Sequence, residues 1–95
     1  MDQPELLQGL DAAIAAVRRL EAGGLRTVHG APADEQLRRL REELTERRAE
    51  VAAGAGLDRE WVGQTVRAVA QWIPDRELPL LARLGGIARA ANTPR

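Results

Sequence analysis

The chain has 95 residues, with fourteen arginines balancing fourteen aspartates and glutamates for a net charge of zero, so there is room for one domain with one thin core. Cys, Ser, Lys and Tyr are absent and His29 is the only histidine, which excludes disulfides, thiolate metal sites and catalysis by a Ser, Cys or Lys nucleophile. A neutral sum spread almost evenly along the sequence also argues against the basic face of a dedicated nucleic-acid binder.

Ala, Leu and Val dominate the apolar residues, and only Trp61 and Trp72 are aromatic. Together with abundant Arg, Glu and Gln, this composition predicts an all-α chain, a compact bundle of four or more helices. The first helix reads as about residues 3–22. Asp2 stands at an N-cap with Glu5 three residues on, Pro4 suits a first turn, and Leu6, Leu10, Ile14 and Val17 recur at helical spacing until Gly23-Gly24 stops the run. Residues 23–33 read as a loop whose Leu25 and Val28 are expected to tuck onto the core.

A second helix, about 34–53, begins with Asp34-Glu35 at the positive end of the helix dipole. Leu37, Leu40, Leu44 and Val51 form a narrow apolar stripe. Around it lie Arg38, Arg39, Arg41, Glu42, Glu43, Glu46, Arg47, Arg48 and Glu50, a charged lattice supported by i,i+4 pairs such as Glu43 with Arg47. Gly54 and Gly56 end this helix. Asp58 then fits the N-cap of a third, about 58–73, whose apolar residues cover so wide an arc that a central position is expected. Pro74 terminates it. A fourth helix, about 76–91, contains Gly85-Gly86, which predicts either a kink or a close helix–helix approach. The ending Asn92-Thr93-Pro94-Arg95 reads as frayed.

Two sets of residues are candidate binding groups. Arg38, Arg39, Arg41, Glu42, Arg47 and Arg48 on the second helix offer guanidinium and carboxylate contacts to a protein partner, and Trp61 is expected to be the more exposed tryptophan, with Trp72 in the core. Separately, Ala52, Gly56 and Val62 have a spacing similar to the helix-turn-helix pattern of DNA-binding proteins, across residues 46–70. That resemblance implies a DNA-reading role for Arg59, Gln64 and Arg67. His29 has no histidine or cysteine partner and reads as an ordinary loop residue. The acidic pairs 34–35 and 42–43 lie among arginines and read as a solvated face.

The closing third carries Val66-Arg-Ala-Val69-Ala-Gln-Trp72, then Arg76-Glu-Leu78-Pro-Leu-Leu81, then Ala88-Arg-Ala-Ala-Asn92-Thr-Pro94. This resembles the end of prokaryotic effector-associated domains, small death-like helical modules. The resemblance covers about 30 of the 95 residues. It implies a homotypic adaptor that recruits an effector in bacterial defence or signalling. Taken together, the sequence predicts one non-catalytic interaction domain over residues 1–95, without cofactor or metal. A protein or a second copy is the expected partner, with DNA the alternative, and neither a small-molecule substrate nor a membrane is expected. No apolar run approaches the roughly 18 residues that span a bilayer, and there is no basic-then-apolar leader, so the expected location is the cytoplasm.

Overall fold

The computed structural model describes residues 3–92, with side chains described for residues 4–90. The Asp2 cap and residues 93–95 lie outside the described residues. Among the described residues there are four α-helices: α1 (Gln3–Ala22), α2 (Asp34–Ala52), α3 (Arg59–Ala70) and α4 (Leu78–Asn92), with a 3-10 turn at Asp75–Glu77 before α4. No strand occurs among the described residues, only an isolated bridge between Arg26 and Pro32. The chain is all-α, as composition predicts.

Local chemistry sets the ends of the helices. Gly54 takes φ +101° after α2, and behind it the Ala55 N–H donates to the Glu50 carbonyl at 3.0 Å. Gly24 does the same for α1 at φ +68°, with the Leu25 N–H reaching back to the Leu20 carbonyl. Both are left-handed glycine caps of the Schellman type. Asp58 caps α3 as expected, its carboxylate accepting from the Glu60 N–H at 2.9 Å and the Trp61 N–H at 3.4 Å.

The apolar stripes meet in one core, in which Leu10, Val17, Leu37, Leu44, Val51, Val62 and Leu84 are the largest fully buried side chains. Helix α1 lies between α2 and α4, while α3 packs on α4 alone among the helices. The wide apolar arc of α3 therefore does not make it central. Its Val62 and Val69 are buried, but the flank carrying Trp61 and Thr65, and Trp72 just beyond its end, are only partly covered. The central helix is α1, and close approach suits it. At Gly9 an added Cβ would stand 3.3 Å from Ile87 of α4. Two charged contacts also tie α2 to α1: Arg41 Nε donates to Glu21 Oε1 at 2.6 Å and Arg48 Nε to Asp11 Oδ1 at 2.9 Å.

Three local expectations need correction. Helix α3 stops at Ala70, short of 73, because Pro74 pushes the backbone into an extended conformation and a 3-10 turn fills the approach to α4. Gly85-Gly86 does not split α4, which runs unbroken to Asn92 with α1 and α3 packed on it, and a Cβ at either glycine would meet only Arg89 of the same helix within 4 Å, so no close helix–helix approach requires them. In the 23–33 loop, Leu25 is buried but Val28 remains 55% exposed. What fixes Val28 is its backbone, whose N–H donates to the Trp72 carbonyl at 2.8 Å. Across its own neck the loop is closed by Thr27 N–H to Ala31 carbonyl at 2.7 Å and Ala33 N–H to Leu25 carbonyl at 3.0 Å.

No helix among the described residues is long and apolar enough to cross a membrane.

Candidate functional site: the groove between the second and third helices

Because α2 and α3 pack on different neighbours, no Cα of one comes within 8 Å of a Cα of the other. Directly packed helices lie about 8–10 Å apart axis to axis, so the two splay. Between them is a solvent-open groove of about 590 Å³. Its α2 wall is Glu35, Gln36, Arg39, Leu40 and Glu43, and its α3 wall runs from Trp61 through Gln64, Thr65 and Val69 to Trp72. The two walls run antiparallel: Glu43 meets Trp61 at one end, and at the other the Val28 backbone, just before α2, meets Trp72.

At the Trp61 end, the indole Nε1–H donates to Glu43 Oε1 at 2.9 Å. The Arg47 guanidinium lies over the same ring, 5.1 Å from its centroid, a cation–π distance. Arg47 also donates from Nη1 to both carboxylate oxygens of Glu50 at 3.2 Å. Its Nε is buried without a hydrogen-bond partner, so the side chain is held by stacking and by charged contacts with Glu50 and, at 3.9 Å, Glu46. Trp72 is half-buried, as is Trp61. The expectation that Trp72 belongs to the core is therefore corrected: it follows the end of α3 and lines the groove.

The charged lattice of α2 divides by face. Arg41 and Arg48 turn toward α1 and hold Glu21 and Asp11, and the Arg41 guanidinium pKa is raised by its hydrogen bond to Glu21 and then by the charge of that carboxylate. Arg47 is committed to Trp61, and Arg39 enters the groove wall. Arg38 and Glu42 are exposed outside it. Of the residues that the DNA-binding pattern implied, Gln64 lines the groove, whereas exposed Arg59 and Arg67 are not part of its lining. Sequence reasoning missed Glu35, Gln36, Thr65 and Trp72 as groove residues. Their convergence depends on the splay of two helices, which no local spacing encodes.

His29 is exposed, and its backbone N–H donates to Thr27 Oγ1 at 3.3 Å. Among the described residues no group of three or more His, Asp or Glu side chains could hold a metal ion. The groove offers indole faces, carboxylates, one guanidinium and amide and hydroxyl groups, which suits recognition of side chains. Compared with family models, curated proteins and solved structures, the chain matches none.

Proposed function

We propose that the chain is a non-catalytic protein-interaction module and that the α2–α3 groove is its binding surface. One observation carries this reading: two tryptophans, with no Phe or Tyr elsewhere in the chain, stand half-buried at opposite ends of one open groove, packed against the core on one side and open to solvent on the other. Tryptophan and arginine are the residues on which binding energy at protein interfaces most often concentrates. Leu40 and Val69 supply an apolar floor, while Glu35, Arg39, Gln64 and Glu43 supply a polar rim. A cavity of this volume falls within the range of ligand pockets, about 300–1,000 Å³. Its openness favours a few side chains of a partner segment over an enclosed small molecule. The likeness of residues 66–94 to effector-associated domains adds an adaptor role in bacterial defence or signalling.

Site-specific photo-crosslinking in the producing cells tests this. A photoreactive residue at Gln64 gives discrete protein adducts, whereas the same residue at Ala15, exposed on α1, gives none. Equal labelling from both positions, or tight salt-sensitive binding of duplex DNA by the purified chain, contradicts the reading.

A further inference from the structure

Building on that reading, we propose that the end of the groove formed by Trp72 and Glu35 seats a cationic side chain, arginine above all, from a basic amphipathic segment of the partner protein. The groove already shows how it holds a guanidinium. At its Trp61 end, an indole flanked by the Glu43 carboxylate carries the chain's own Arg47 at 5.1 Å from the ring centroid. The opposite end repeats the ingredients, with Trp72 on the α3 wall and Glu35 on the α2 wall. Among the described residues no cation stacks on Trp72 and no ion pair engages Glu35. Arg39 lies one helical turn from both Glu35 and Glu43, yet pairs with neither. It is exposed, a geometry that leaves it free to meet an acidic group beside the incoming cation.

Charge complementarity selects this partner. The ionisable groups lining the groove are two carboxylates and one guanidinium, Glu35, Glu43 and Arg39. Arg47, over the Trp61 ring, is matched by its own counter-ion Glu50, so the lining keeps one carboxylate in excess, which favours a basic segment and disfavours a nucleic-acid backbone or an acidic peptide. Guanidinium is also the cation that best combines stacking on an indole face with paired hydrogen bonds to a carboxylate. Apolar residues one turn either side of the arginine fit the floor made by Leu40 and Val69.

The test titrates the full chain with two fluorescent helical peptides of alanine and leucine, one with arginines four residues apart and the other with glutamates there. The arginine peptide is expected to bind at least about tenfold more tightly, with the preference shrinking as salt rises. Glu35→Gln, a change at an exposed residue that leaves the fold intact, removes most of the preference. Trp72→Leu removes it while retaining apolar bulk, and Glu42→Gln, outside the groove, leaves it unchanged. Equal binding of the two peptides, tighter binding of the acidic one, or a preference that survives Glu35→Gln with Trp72→Leu overturns the proposal. If crosslinking from Gln64 still captures a protein in that case, the groove remains a binding surface and only the basic partner is lost.

Discussion

At single residues, the structure separates groups that hold the fold from groups that wait for a partner. Asp58 belongs to the first kind, since it satisfies two N–H groups at the start of α3. Asp58→Ala is expected to cost about 1 kcal/mol, which thermal unfolding registers as a Tm lower by roughly 4–8 °C for a domain of this size. Gly54→Ala faces no steric neighbour within 4 Å, so its cost is that of holding a left-handed backbone, about 1–2 kcal/mol. Denaturant titration measures it, and an unchanged midpoint would mean the cap adopts another form. Arg41 makes a prediction of the opposite kind. Its pKa is raised by Glu21, so the stabilising contribution from that shift is complete below the ordinary arginine range and fades only as pH climbs through the raised value. This guanidinium therefore adds no pH dependence to stability across the neutral range, which unfolding curves at successive pH values would show. Asp58 and the glycine stops were readable from sequence because capping is local. Trp61 was named from sequence as a candidate contact and does line the groove, but Trp72 was not, since it follows the end of α3 and its surroundings come from distant segments.

Between elements, the energy comes from apolar stripes meeting across helices. Leu44 is fully buried on a helix otherwise covered in charge. Leu44→Ala is expected to cost about 2–5 kcal/mol, against a total stability of roughly 0.05–0.15 kcal/mol per residue. Denaturant titration should register that loss as a lower unfolding midpoint at an unchanged slope. The extents of α1 and α2 were legible because their stripes repeat every three to four residues and stop at glycines. Which helix is central was not. The wide apolar arc of α3 reflects two uses of one helix, with Val62 and Val69 facing the core while Trp61 and Thr65 line a groove that Trp72 closes just beyond its end. Amphipathicity counts apolar residues without saying what covers them. Gly85-Gly86 teaches the same lesson, since α4 stays continuous where it lies against both α1 and α3.

Across the whole molecule, an order of α2, α1, α4, α3 leaves the outer pair splayed, and the groove follows from that order. An Arg/Glu lattice on α2 was visible in the sequence, but its division was not: Arg41 and Arg48 clamp α1, Arg47 covers Trp61, and Arg39 faces the groove. The central claim is that this splayed face receives a protein. It is tested most directly by the two indole N–H resonances of the isotope-labelled chain, one from Trp61 and one from Trp72, as the partner captured through Gln64 is added. Both resonances should shift or broaden together, while backbone signals of Ala15 and Arg18 on the exposed side of α1 stay fixed. Perturbation confined to α1, with both indoles unmoved at saturation, would contradict the account.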